Sequence, residues 1–424
     1  MIPIVPGIIL YLVLTIWLTY SCVLNSEQTI FSKLMDKLPS ACFSLTTRLC
    51  GEKTAKKLSK ITDKTLAIIY FVVVLGSWSI ILTYGYDFIS KSSHVDSRHK
   101  ISGYFVFLLC MWSRQKAGTS SPGYITERNM AKYDNYPYDN LLYANKKCPT
   151  MGFRKLARSK YDKFTNRHVA RYDHFCGWID NTVGEENYRF FLLFLLIHIF
   201  MCLYGTIVCY QLFKGECEDR DLFNAIFFNA ETGEEVEADL LVIAHFMFMK
   251  HFQLFSVIVL MFAMVVVLGL FFLFHMYMAA NGMTTNEYYK WKNVKKWHRK
   301  QRHKYEEAVI QGKIKTGGSD EGIMAMGEMP EVDVGCVGTS TLPKSSDDGE
   351  ASQNKGKSNE IRDPGDMPKN IYNLGFVENM KEVLFPRCLR PDAKARALAA
   401  HYEFMKQQKG NLGQSTKAET SKTK

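Results

Sequence analysis

A chain of 424 residues could hold two or three soluble domains, but its apolar residues, 47% of the total, are gathered in long uncharged runs, which argues against an ordinary soluble globule. The formal net charge of +11 comes from Lys and Arg flanking those runs, where they suit anionic cytoplasmic lipid rather than nucleic acid. Eleven cysteines are scattered singly without a CxxC pair, and Cys202 and Cys209 fall inside apolar runs, which argues against a disulfide framework.

In chain order, the first run, residues 2–24, has no basic segment before it and no small-residue cleavage site after it, so it reads as a retained membrane helix rather than a signal peptide. The second covers 66–84. A third, 101–112, is short for a hydrocarbon core of about 30 Å and is read as spanning by its place in the pattern. Two stronger runs follow, 190–212 and 252–278. The expectation is an all-α integral membrane protein of about five transmembrane helices.

Loop charge sets the sides. Lys33, Lys37, Arg48, Lys53, Lys56, Lys57 and Lys60 lie between the first two runs and mark that loop as cytosolic. Alternation then puts 114–188 and everything beyond about 279 in the cytosol, and the acidic stretch with Glu216, Glu218, Asp219, Glu234, Glu235 and Glu237 on the far side. Residues 240–250 either lengthen the last span or lie along the surface. The expected organisation is 1–113, three helices and a basic loop; 114–188, a cytosolic loop; 189–278, two helices with an acidic lumenal loop; 279–312, a basic juxtamembrane helix; 313–366, a disordered linker rich in Gly, Ser, Asp and Lys; and 367–424, an aromatic segment and tail.

The loop between the third and fourth spans carries Asp173, His174, Phe175 and Cys176. A free thiol is only slightly ionised at neutral pH, and a histidine held by a carboxylate raises that fraction. Asp, His and Cys thus supply an orienter, a base and a nucleophile. Beside a membrane helix, such a thiol meets lipid-dissolved chains, and Arg154, Lys155, Arg158 and Lys160 are candidates for attracting the phosphates of an acyl-CoA. The alternative for these four is plain positive-inside charge.

These residues resemble the DHHC protein S-acyltransferases (palmitoyltransferases). The resemblance runs through Arg154-Lys-Leu-Ala-Arg-Ser-Lys160, Asp173-His-Phe-Cys176, Trp178, Asn181, Val183-Gly184, Asn187 and Phe191. Outlying matches are Ser121-Pro122-Gly123, Thr284-Thr285-Asn286-Glu287 for the family's TTxE motif, and Asn370-Ile-Tyr372-Asn-Leu-Gly375 with Asn379 for its C-terminal aromatic motif. The resemblance implies a cysteine-rich-domain-like loop in which Asp173 and His174 activate Cys176. It also implies that Thr285 holds Asp173 and that Asn379 pins the tail motif, with Trp178 and Asn181 as further support. Acyl-CoA, palmitoyl-CoA above all, is then the co-substrate. The partners are proteins with membrane-proximal cytosolic cysteines, and the lipid bilayer.

The family's loop is normally folded on two zinc ions. Here the eight ligand positions read Cys148, Met151, Tyr161, Asp162, Thr165, His168, Phe175 and Thr182. Four-ligand zinc sites use Cys and His, so no structural zinc and no bound cofactor are expected, and Tyr161, Phe164, Phe175 and Met151 are candidates to pack in the metals' place. The fungal ankyrin-repeat members of the family also lack most of these ligands. The rival reading is a catalytically inactive member serving as a membrane scaffold or as the partner of an active acyltransferase. A transporter reading draws on His198, His245 and His251, but no acidic relay crosses the spans. Short lumenal segments and a long tail point to a multi-pass protein of the endoplasmic reticulum or Golgi.

Overall fold

The computed structural model describes residues 64–228, 233–311, 363–400 and 402–403. The predicted first span, the basic loop behind it and nearly all of the predicted linker lie outside the described residues. The described residues divide between two compact units: one contains those up to Pro122 together with Phe175–Tyr277, the other Gly123–His174 and those from Met278 onward.

The first unit is built on long helices, because its sequence offers uninterrupted apolar residues with nothing polar to end them. Helix α1 (Thr65–Ile80) runs through a π-helical turn (Ile81–Gly85) into α2 (Tyr86–Lys91), making one rod of 27 residues. Helix α5 (Tyr188–Asp219) has 32 residues, and α7 (Phe252–Ala280) has 29. At about 1.5 Å per residue each exceeds a hydrocarbon core of about 30 Å. These three are long and apolar enough to cross a membrane, and their outward side chains, among them Val72, Leu75, Leu270 and Leu273, are large and apolar. In water such faces would aggregate; in lipid they are solvated.

Helix α3 (Arg98–Thr119) is longer than the run 101–112 predicted it to be. Hydropathy stops at the first charge, whereas the backbone stays helical through Arg98, His99 and Lys100 at one end and Arg114 and Lys116 at the other, giving 22 residues. It packs along α5: the Tyr204 hydroxyl lies 2.9 Å from His99 Nδ1 and 2.8 Å from Ser102 Oγ. The α3 C-terminus leaves carbonyls that its own helix cannot satisfy. Asn181 Nδ2 donates to two of them, Ala117 (3.1 Å) and Ser120 (2.9 Å). Gly118 permits this approach, since a Cβ there would stand 2.8 Å from the carbonyl oxygen of Ile179.

The stretch 240–250 does not lengthen α7. It forms a separate helix α6 (Leu240–Lys250), capped where Asp239 accepts from Val242 N at 2.7 Å. It stops at His251, whose ring stacks on Phe88. Buried His198 bonds to the Tyr70 hydroxyl (2.9 Å) and the Phe194 carbonyl (2.8 Å), which uses both ring nitrogens in packing.

Among the described residues the fold is mostly helical, as expected, with three small sheets besides. In the second unit β1 (Tyr124–Ile125) and β2 (Lys160–Asp162) flank β3 (Arg167–Val169), with Tyr124 and Lys160 both opposite Val169. Strands of two or three residues carry too little alternation to register as a pattern. The β2–β3 turn is closed by the Asp162 carboxylate, which accepts from Phe164 N (3.1 Å) and Thr165 Oγ1 (2.7 Å). A short helix α4 (Met130–Tyr133) precedes β2. Ile125, Tyr133, Phe153, Leu156, Ala170 and Cys388 form one core cluster. Strand β4 (His174–Cys176) pairs with β5 (Asn181–Val183), and β6 (Phe227–Phe228) with β7 (Glu235–Val236). The chain then forms α8 (Thr285–Ile310), α9 (Phe376–Leu384) and a 3-10 turn, Arg387–Leu389.

Candidate active site

Helix α8 begins with the TTNE stretch, and its first turn fixes the acid. Thr284 caps the helix through Glu287 N while the Glu287 carboxylate accepts from Thr284 N (2.9 Å), so each satisfies an amide the helix leaves open. The next amide, Thr285 N, donates to Asp173 Oδ1 (2.8 Å), and the Thr285 hydroxyl donates to Asp173 Oδ2 (2.8 Å). A carboxylate suits this position, since a helix N-terminus carries partial positive charge. Asp173 Oδ2 also lies 2.6 Å from His174 Nδ1. With the Nδ1 proton directed at the carboxylate, Nε2 is left as the basic nitrogen.

The unit boundary falls between His174 and Phe175, inside β4. In its own unit Cys176 is a free thiol, 7% exposed. The turn that follows it is pinned to both neighbouring helices. A Cβ on Gly177 would meet Leu66 Cδ1 of α1 at 2.7 Å, and Asn181 caps α3 as described. Asn187 Nδ2 donates to the Thr182 carbonyl (2.8 Å) while its Oδ1 accepts from Gly184 N (2.9 Å). Trp178 is 41% exposed at the tip of this turn.

Beneath the acid lies an ion pair that the sequence reading did not identify. Arg158, 0% exposed, donates from Nε (2.7 Å) and Nη2 (2.6 Å) to the two Glu287 oxygens, and from Nη2 to the Gly282 carbonyl (2.8 Å). Its guanidinium stacks over Tyr372 (4.6 Å) and Tyr136 (5.0 Å), and Tyr143 Oη donates to Glu287 (3.2 Å). Burial alone would raise the Glu287 pKa, but Arg158 overrides it and holds the carboxyl below its ordinary value. Gly282 has φ +64, and a Cβ there would stand 2.5 Å from the Tyr372 carbonyl oxygen. The signal was present as an Arg in one motif and a Glu in another, but nothing in the sequence joins them.

Arg158 is therefore corrected as a candidate for CoA phosphates: it is buried and committed to Glu287. Arg154 pairs with Asp134. Lys155 and Lys160 are partly exposed, with Lys160 Nζ 3.4 Å from Asn286 Oδ1. Asn379, fully buried, donates from Nδ2 to the Ala280 carbonyl (2.8 Å) and to Asn373 Oδ1 (2.7 Å), and its Oδ1 accepts from Leu374 N (3.0 Å). Asn370 adds a bond to the Asn281 carbonyl (3.1 Å).

At the positions that carry zinc ligands in the family, Cys148 Sγ and His168 Nε2 face each other at 3.0 Å. The rings of Phe153 and Tyr161 pack on the imidazole, with centroids 5.2 and 5.9 Å away. Met151 and Phe164, expected to fill the metals' space, are 41% and 48% exposed; Phe153, already apolar in the core, takes that part. Asp162 spends its carboxylate on the β2–β3 turn. A Cys–His pair flanked by Met, Tyr and Thr does not fit a four-ligand zinc site. Burial, and secondarily Lys155, push the His168 pKa down to about 4.

Residues 142–292 match the family model described as DHHC palmitoyltransferase. Over that stretch, about a third of its length, the chain is similar to the family. The matched stretch includes Arg158, Asp173, His174, Cys176, Thr285 and Glu287; Asn379 and the aromatic segment lie outside it. Similar proteins include Palmitoyltransferase SWF1 of Yarrowia lipolytica, 33% identical over 191 residues, covering 42% of this chain and 48% of the relative. Palmitoyltransferase ZDHHC4 of Mus musculus is 30% identical over 186 residues, covering 42% and 53%. The chain spans about half the length of these curated relatives. Its three apolar helices and this match support a multi-pass membrane protein.

Proposed function

We propose that the protein is a protein S-acyltransferase that carries palmitoyl or a similar acyl group on Cys176. The observation that carries this reading is the Asp173 carboxylate, held by two Thr285 bonds and aligned on His174 Nδ1. His174 and Cys176 stand two residues apart in β4, and alternate residues of a strand share a face. His174 Nε2 takes the thiol proton, and the thiolate attacks the acyl-CoA carbonyl carbon. The bond from that carbon to the CoA sulfur breaks, and CoA leaves with the proton from His174. A substrate thiol then gives its proton to His174, takes the acyl group from Cys176, and Cys176 recovers its proton. Asp173 keeps the imidazole oriented and stabilises its charged form.

The names of the relatives and the intact Asp173, His174 and Cys176 favour this over an inactive scaffold. Lys155 and Lys160 are the basic residues left to attract CoA phosphates, substrates are proteins with membrane-proximal cytosolic cysteines, and the membrane is that of the endoplasmic reticulum or Golgi. The loop is held by packing and the Cys148–His168 pair rather than by zinc. The test is acyl loading from a clickable palmitoyl-CoA analogue in detergent. A hydroxylamine-sensitive adduct present in wild type and absent in Cys176→Ser is the expected result; no adduct in well-folded wild type favours the scaffold.

A further inference from the structure

Helix α8 carries a feature that acyl transfer leaves unused. Between Glu287 and Glu306 it holds eight Lys and Arg and no Asp or Glu. Glu287, Trp291 and Val294 are buried and mark its inward face. Lys292, Lys296, Arg299, Lys300, His303 and Lys304 line one shallow trough. At 3.6 residues per turn they occupy about 140° of arc, centred roughly opposite the inward face, along about 18 Å of helix. The pairs 292/296 and 296/300, with 300/304, set cation against cation four residues apart, which destabilises a helix on its own. A face that only needed solvation would alternate signs; this one concentrates a single sign, which an external anion would relieve.

The position of the helix identifies that anion. Four residues separate the start of α8 from the end of α7, so Lys292 is tethered within about 25 Å of the end of an apolar span. Tyr288, Tyr289, Trp297 and Tyr305 are interspersed among the charges, and such amphipathic rings favour the headgroup level of a membrane. Charge attraction of this kind acts within a Debye length of about 8 Å, which calls for a polyanionic surface already at hand. We propose that the stripe docks on anionic phospholipid of the membrane that α7 crosses.

The test uses the full chain in nanodiscs of phosphatidylcholine alone or mixed with phosphatidylserine. The readout is labelling of Lys292, Lys300 and Lys304 by a soluble amine reagent, measured by mass spectrometry against Lys381 of α9. Severalfold slower labelling in the phosphatidylserine discs, reversed by high salt, is expected. In a variant carrying Lys296→Glu and Arg299→Glu the protection should fall by about fivefold for each charge removed, with acyl loading retained as the control for folding. Equal labelling of wild type in the two discs overturns the proposal. So does protection in neutral discs by free CoA or inositol phosphate equal to that given by phosphatidylserine, which would assign the stripe to a soluble polyanion.

Discussion

Substituting Arg158 by Met tests the buried ion pair most directly. The change leaves the Glu287 carboxylate, 1% exposed, without its cation. Removing one partner of a buried pair costs about 3–5 kcal/mol. The lost bond to the Gly282 carbonyl adds about 1 kcal/mol, and the lost stacking on Tyr136 and Tyr372 about 0.5–2 kcal/mol. Part of this is recovered as Glu287 protonates. A net loss of about 4 kcal/mol, at about 2–4 °C per kcal/mol for a domain of this size, lowers the thermal midpoint by roughly 8–16 °C. The assay is thermal unfolding of purified protein in detergent, with acyl loading followed in parallel, since the Thr284–Glu287 box also aims Thr285 at Asp173. The double variant Arg158→Met with Glu287→Met removes both charges and should recover much of the midpoint while loading stays impaired. A single variant within about 1 °C of wild type, or a double variant no better than the single, would show that the pair does not carry this part of the fold.

Thr285→Val keeps the backbone bond to Asp173 but removes the hydroxyl bond, worth about 1.5–3 kcal/mol to a charged acceptor; acyl loading should slow roughly 10- to 100-fold with the thermal midpoint little changed. Asn379→Ala leaves the Ala280 carbonyl and Leu374 amide without a partner and should cost about 2–4 kcal/mol, read as earlier proteolysis of the tail. His168 has a folded pKa near 4 against an ordinary 6.5, so its neutral form contributes stability that is full above pH 6.5 and is lost as pH falls towards 4, on the order of 3 kcal/mol in all. His168→Phe should flatten that part of a stability profile. A strong zinc chelator should leave midpoint and loading unchanged, and a clear loss of either would restore a metal to the loop.

The helices were legible wherever apolar residues ran on without charge: the predicted runs at 66–84, 190–212 and 252–278 lie within α1–α2, α5 and α7. Their ends were not, because hydropathy ends at a charge and a helix ends at a cap. Thus α3 reaches well past 101–112, and α6 ends at His251, whose ring stacks on Phe88. The roles for Asp173, His174 and Thr285 came from motifs, and the first two are also neighbours in sequence. Arg158 misled because an arginine in a basic stretch looks exposed; its burial depends on Glu287, 129 residues later. Phe153 stayed unremarked beside more conspicuous aromatics for a similar reason, since packing partners are set by the tertiary fold and not by side-chain size.

The bond from Asn379 to the Ala280 carbonyl joins residues 99 positions apart, with residues 312–362 of the connecting chain between the two anchored ends. Chain closure of this kind follows mass action: the segment carrying Asn370, Tyr372 and Asn379 acts as a ligand held at the local concentration its tether sets. One cut in the tether turns an intramolecular contact into a bimolecular one, and the tail peptide would then dissociate on dilution without any bond in the motif having been touched.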